Sequence, residues 1–106
     1  MHVIRFAIFS KRAKKYFREA EIEAIAAYLS QFPEKGAVIP GTEGLRKLRW
    51  SVGNQGKRGG SRVIYYYHFP ESLILLLSAY AKNQQEDMDA AEKKILKAAV
   101  EQFFEE

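Results

Sequence analysis

The order of apolar and polar positions divides the chain into segments with helical or strand period. Residues 2–9 alternate loosely and are rich in β-branched and aromatic types, which predicts a first strand that meets Ser10 as a possible helix N-cap. From 11 to 31, apolar residues recur at three- and four-residue steps, which predicts one amphipathic helix or two consecutive helices. The Phe-Pro pair at 32–33 ends this pattern. The glycine- and proline-containing stretch 34–44 predicts a connecting loop.

Three further segments have the character of strands. Residues 45–50 alternate so that Leu48 and Trp50 share one face while Lys47 and Arg49 share the other. A glycine-rich connection follows, and residues 62–69 resume strand character, so the two segments predict a hairpin with a charged tip. Residues 73–80 are so apolar that we expect a strand inside the sheet, covered on both faces.

The last segment predicts a helix. Asp87 or Asp89 can cap it, Glu92 follows Asp89 at capping-box spacing, and apolar residues at 95, 99 and 103 share one face. The order β-α-(α)-β-β-β-α predicts an α+β fold, in which one or two N-terminal helices and a C-terminal helix pack on a mostly antiparallel sheet. A length of 106 residues predicts a single domain over 1–106.

Positive charge is concentrated in the middle of the chain. The net charge is +4, yet six cations and no acid lie between Glu43 and Glu71. These cations are Arg46, Lys47, Arg49, Lys57, Arg58 and Arg62. Trp50, Tyr65, Tyr66 and Tyr67 lie among them. Nucleic acid is the first partner to consider, because phosphates attract cations and aromatic faces stack on bases. The chain has no cysteine, no signal-like N-terminus and no apolar run long enough to span a membrane, and we expect a soluble cytoplasmic protein without a membrane partner.

Several kinds of chemistry are disfavoured. The 53–60 stretch lacks the spacing of a phosphate-binding P-loop, and it is either a plain hairpin loop or one that presents Lys57 and Arg58 to RNA phosphates. His2 and His68 have no acid or cysteine at ligand spacing, so we expect no metal and no cofactor. His68 is better explained as a strand residue near the sheet's end than as an acid–base catalyst, and no nucleophilic serine turn is present.

The outward face of the predicted sheet is the remaining candidate site. Lys47, Arg49 and Arg62 have the parity of that face, and Tyr80 and Lys82 end the neighbouring strand. The alternative is a charged face that serves solubility alone. Tyr66 shares the Arg62 face and is a candidate for base contact. Core packing is the better explanation for Tyr65, Tyr67 and Trp50.

Three motifs occur in a fixed order. They are PGTEGLRKLRW at 40–50, GKRGGSRVIYYY at 56–67 and AYAKN at 79–83, followed by an acidic pair at 86–87. Together they resemble the RelE superfamily of bacterial toxins, in particular its HigB-like branch. The resemblance implies a toxin of a type II toxin–antitoxin pair that cleaves mRNA on the 70S ribosome. It also implies a cognate antitoxin, commonly one with a helix-turn-helix domain.

The resemblance implies roles for individual residues. Arg62 stands at the position of the transition-state arginine, and Lys57 and Arg58 at those of loop cations that contact RNA. Tyr80 and Lys82 stand where the last strand supplies further site groups. Ala81 departs from the proline often found between them. Two alternatives stay open: a ParE-like toxin that inhibits gyrase by protein interaction, and a non-catalytic RNA-binding module.

Overall fold

A computed structural model of the chain describes residues 1–51, 60–81 and 88–105. The helices and strands within them are, in chain order, β1 (His2–Arg5), α1 (Ala7–Ala13), α2 (Glu19–Gln31), β2 (Ala37–Val38), β3 (Leu45–Trp50), β4 (Ser61–His68), β5 (Leu73–Ala81) and α3 (Ala90–Phe104). A short 3₁₀ turn, Phe69–Glu71, links β4 to β5. The predicted α+β fold is confirmed, as are β3, the hairpin strand β4 and the interior position of β5.

One five-stranded sheet organises these elements, in the order β1-β5-β4-β3-β2. β1 pairs with β5 in parallel, and the remaining neighbours are antiparallel. A β-bulge between Ile64 and Tyr65 shifts the pairing of β4 with β5 by one residue. The sheet is thus mostly antiparallel, as predicted, with a parallel edge strand supplied by the N-terminus.

Helices cover both faces of the sheet. α1 and α2 pack on one face, in an apolar cluster that we call the α1–α2 core. α3 packs on the other face, in a second cluster that we call the α3 core. Every residue of β5 before Ala81 is buried, because its two faces point into the two cores. The α1–α2 core comprises Phe9, Ala13, Phe17, Ile22, Ile25, Leu29, Leu48, Val63, Tyr65, Ile74, Leu76 and Ala79, and the α3 core comprises Ile39, Leu45, Ile64, Leu73, Leu75, Leu77, Tyr80, Met88, Leu96 and Val100.

The N-terminal prediction needs two corrections. The first strand ends at Arg5, not near residue 9, and Ser10 lies within α1 while Phe6 occupies the N-cap position. The Phe6 N–H still donates to the Leu76 carbonyl at 2.9 Å, and the chain then turns so that Phe9 enters the α1–α2 core fully buried. An apolar run this short fits a strand and a buried helical turn equally well. The spacing of its apolar residues therefore could not show where β1 ends and α1 begins.

Two smaller differences concern the predicted loop and the last helix. The 34–44 stretch contains β2, whose two residues are too few to produce a strand pattern. The helix α3 is confirmed with Asp89 as its cap, whose carboxylate accepts from the Glu92 N–H at 2.8 Å. The row of α3 that packs on the sheet is Leu96 and Val100, whereas Ile95, on the face noted in the sequence, is 57% exposed.

Candidate functional site

Three of the predicted site residues lie side by side across the sheet. Arg49 of β3 is paired with Arg62 of β4, and Arg62 is paired with Tyr80 of β5. Directly opposed residues of antiparallel strands project from the same face, so the three side chains form one row, which we call the Arg62 rung. The row spans two strand spacings, or about 10 Å between the outer Cα atoms. The three strands therefore place two arginines and a tyrosine in neighbouring register positions on one face.

A third cation lies on the next rung of the same face. Lys47 is paired with Ile64, which is paired in turn with Ser78. Arg49 is exposed, whereas Lys47 and Arg62 are half-buried. The face opposite to these cations carries Leu48 and Val63 in the α1–α2 core. The predicted division of β3 into an apolar face and a basic face is confirmed.

Tyr80 is the most enclosed member of the Arg62 rung. Its side chain is 2% exposed and belongs to the α3 core together with Met88 and Leu96. Close packing on several sides restricts the orientation of this ring. This burial agrees with the interior strand that the sequence predicts over residues 73–80.

The tyrosine triplet divides between the faces as predicted. Tyr65 is fully buried in the α1–α2 core, and Tyr67 and Trp50 pack against that core. Tyr66 lies on the cationic face, half-buried against the α3 core and two rungs from Arg62. Four residues of strand separate the Cα atoms of Tyr66 and Arg62 by about 13 Å.

Arg46 does not join the cationic face. It is paired with Tyr65, on the side of α1 and α2, and its guanidinium donates to the carbonyls of Glu34 and Gly36 at 3.0 and 2.8 Å. The Arg46 guanidinium therefore anchors the loop after α2. Although Arg46 is one of the six cations in the middle of the sequence, it does not contribute to the cationic face.

Arg12 is a cation on this face that the sequence did not indicate. Its guanidinium reaches from α1 to the hydroxyl of Ser78 on the Lys47 rung, at 3.2 Å. It also donates to the Glu92 carboxylate at 2.8 Å and so joins α1 to the first turn of α3. No local pattern could have shown this, because 66 and 80 residues separate Arg12 from these partners.

Three predicted site residues, Lys57, Arg58 and Lys82, lie outside the described residues. The described ends of those stretches nevertheless meet at one place: Ser61 is paired with both Trp50 and Ala81, on the rung directly beyond Arg62. Lys82 follows Ala81 directly in the chain. The described residues that flank these two stretches thus lie beside the Arg62 rung.

No group of three or more His, Asp or Glu side chains within residues 1–51, 60–81 and 88–105 is arranged to hold a metal ion.

The helices in the described part of the chain include none with the length and apolar character needed to cross a membrane.

Comparisons with known proteins address the fold. No protein-family model matches the sequence. Among solved structures, the chain is similar to a double arginine-to-alanine mutant of the Escherichia coli toxin RelE in the free state, with a TM-score of 0.59 and 11% sequence identity. The match covers 80% of this chain and 86% of that one. The chain therefore has a RelE-like fold.

Proposed function

We propose that this protein is the toxin of a type II toxin–antitoxin system, of the HigB-like branch, and that it cleaves mRNA on the translating 70S ribosome. The observation that carries the proposal is the Arg62 rung, in which two arginines and a tyrosine lie in one row on the cationic face. The RelE-like fold supports the same assignment. The motifs quoted from the sequence extend it to the HigB-like branch.

The proposed reaction is an internal transesterification. The ribose 2′-oxygen attacks the adjacent phosphorus while a base accepts the hydroxyl proton. The bond from phosphorus to the 5′-oxygen breaks, and an acid donates a proton to that leaving oxygen. The products are a 2′,3′-cyclic phosphate and a 5′-hydroxyl end. Negative charge develops on the phosphate oxygens, and Arg62 would stabilise it because a planar guanidinium can donate to two oxygens at once.

The remaining site residues have proposed roles around that phosphate. Lys82 or Lys57 would act as the general base, since the described residues that flank their stretches lie beside the Arg62 rung. Tyr80, enclosed in the α3 core, would orient the reacting groups or donate a proton. Lys47, Arg49 and Arg58 would bind flanking phosphates, and Tyr66 a base. The reaction so written uses no metal and no cofactor.

Two partners follow from the proposal. Bound mRNA in the ribosome would supply the substrate geometry, so free RNA would be cut slowly. A cognate antitoxin with a helix-turn-helix domain would neutralise the toxin, and an acidic segment of that antitoxin is the simplest means of blocking a cationic face. The site of action would be the cytoplasm.

The proposal is tested by inducing the chain alone in bacteria. We expect growth arrest and new 5′ ends within messages for the parent, and neither for Arg62→Ala. Lys15→Ala, which removes an exposed cation from the turn after α1, is the matched control and should arrest growth as the parent does. Arrest by a soluble Arg62→Ala protein with the same message ends would refute the assignment.

A further inference from the structure

A cavity of about 290 Å³ lies on the cationic face, away from the Arg62 rung. β3 and β4 form its floor, the turn before β3 forms one wall, and the C-terminal half of α3 forms the other. The volume lies near the lower end of the range for small-ligand sites, which suits one small planar group. The polar and aromatic side chains that line it include Glu43, Tyr66, His68, Lys97, Glu101 and Phe104.

Three aromatic rings line this cavity and contact one another. The centroids of His68 and Phe104 are 4.3 Å apart, and those of Tyr66 and Phe104 are 6.1 Å apart. Phe104 is 36% exposed, and Tyr66 and His68 are half-buried. Aromatic faces that remain open beside a cavity can stack on a further flat ring.

The cavity lies next to the row of cations along β3 and β4. Tyr66 and Leu45, which both line it, are paired on the rung next to Lys47, and the Arg62 rung follows Lys47. An RNA strand that crosses Arg62 and Lys47 would therefore arrive at the cavity after about 13 Å of sheet. Lys47 lies midway, where a phosphate between the two positions would pass.

Charge distinguishes among possible occupants. Two carboxylates, Glu43 and Glu101, line the cavity together with one ammonium, Lys97, which is 3.4 Å from the Glu43 carboxylate. This excess of negative charge disfavours a phosphate, and it equally disfavours an acidic segment of a protein partner. It suits the edge of a nucleobase, whose amino groups donate to carboxylate oxygens.

We infer that this cavity binds one unpaired base of the RNA, which stacks on Phe104, meets the inclined ring of Tyr66 with its edge, and is read at its edge by Glu101. The inference rests on the proposed function for its RNA ligand, and it assigns sequence preference to a place separate from the scissile phosphate. Bases that present an amino group, which excludes uracil, would be preferred there.

The test measures binding of fluorescent single-stranded oligoribonucleotides of uniform sequence (A, C or U) to the purified protein, without ribosomes. We expect the parent to prefer adenine or cytosine to uracil, and Phe104→Ala to weaken binding about 5- to 100-fold. Phe69→Ala is the matched control, because Phe69 is 73% exposed and contacts Tyr67 on the opposite face. The Phe69→Ala variant should therefore bind RNA with the affinity of the parent. Glu101→Gln should abolish the discrimination against uracil.

Unchanged binding by Phe104→Ala, an equal loss in Phe69→Ala, or no binding by the parent would overturn the inference. A folded state is verified for each variant by its urea unfolding midpoint. The two proposals fail separately. A parent that binds as predicted yet cuts no message refutes the nuclease alone, whereas a cutting parent whose binding ignores Phe104 refutes the base site alone.

Discussion

Tyr65 shows how a single side chain positions one end of the sheet. Its hydroxyl donates to the Pro33 carbonyl and accepts from the Gly36 N–H, both at 2.8 Å, and its ring is fully buried. A Cβ at Gly36 would lie 2.7 Å from that ring, so glycine is required for the close approach. The phenol thus holds the loop between α2 and β2 against β4, the strand that carries Arg62.

Removing this hydroxyl tests its contribution to stability. Tyr65→Phe leaves the Gly36 N–H without its acceptor, and we expect the free energy of unfolding to fall by about 1–3 kcal/mol. Urea unfolding should show a lower midpoint with an unchanged m-value. Tyr67→Phe, which alters a half-buried phenol on the same strand, is the matched control. An equal effect of both substitutions would contradict the assignment.

The same phenol predicts a dependence of stability on alkaline pH. Burial raises the pKa of Tyr65 above its ordinary value of 10.0. The folded state then keeps a proton that the unfolded state releases, so this contribution to stability is present below pH 10 and is lost as pH rises through the higher folded pKa. When the pH is raised from 9 to 11, the free energy of unfolding should fall less for the Tyr65→Phe variant than for the parent, as measured by urea unfolding. Identical pH profiles would contradict this account.

At the scale of elements, the start of α3 depends on its cap. The Asp89 carboxylate accepts from the Glu92 N–H at 2.8 Å, while the Glu92 carboxylate accepts from Arg12 of α1. The first turn of α3 is therefore fixed both locally and to the far helix. This turn directly follows the stretch that contains Lys82.

Loss of the cap should be measurable by itself. We expect Asp89→Ala to lower the free energy of unfolding by about 1 kcal/mol, because one N–H of the first turn loses its acceptor. Asp89→Ser keeps an acceptor of similar reach and should stay near the parent. Urea unfolding of the three proteins decides the matter, and equal midpoints for the parent and Asp89→Ala would show that the cap is unimportant.

The elements differ in how far the sequence could predict them. β3 and β5 were predictable because a strict alternation and a continuous apolar run each admit one interpretation. The boundary between β1 and α1 was not, since residues 2–9 satisfy two periods. The alternation of residues along each strand predicted that Arg49 and Arg62 lie on the same face. The hydrogen bond from Arg12 to Ser78 and the cavity beside α3 were not predictable, because they join residues far apart in the chain and leave no local pattern.

At the scale of the whole molecule, the cations of β3 and β4 are distributed unequally between the two faces of the sheet. The Arg62 and Lys47 rungs place three cations on one face, whereas Arg46 is turned to the other and bound to carbonyl groups. A net charge of +4 therefore understates the positive charge that this face would present to a polyanion.

This arrangement predicts the salt dependence of RNA binding. Each phosphate contact on a single strand makes the slope of log affinity against log salt concentration more negative by about 0.7, so it adds this amount to the magnitude of the slope. Arg49→Gln should reduce that slope by about this amount, because it removes one cation from the row. Lys15→Gln removes an equal charge elsewhere and should leave the slope unchanged. The same reduction in both variants would mean that net charge alone determines binding.

Growth arrest by itself would not distinguish a nuclease from the ParE-like alternative. A supercoiling assay with purified gyrase separates them, because gyrase inhibition with intact messages would favour the alternative. A protein that binds RNA but neither cuts message nor inhibits gyrase would be the non-catalytic RNA-binding module.

The central claim is that the Arg62 guanidinium stabilises the reacting phosphate. Its most direct test is the rate at which the purified protein cuts mRNA bound to 70S ribosomes, for the parent and for Arg62→Ala with a matching unfolding midpoint. We predict 5′-hydroxyl ends from the parent and a rate about 100- to 1000-fold lower for Arg62→Ala. Equal rates for the two proteins would contradict the account.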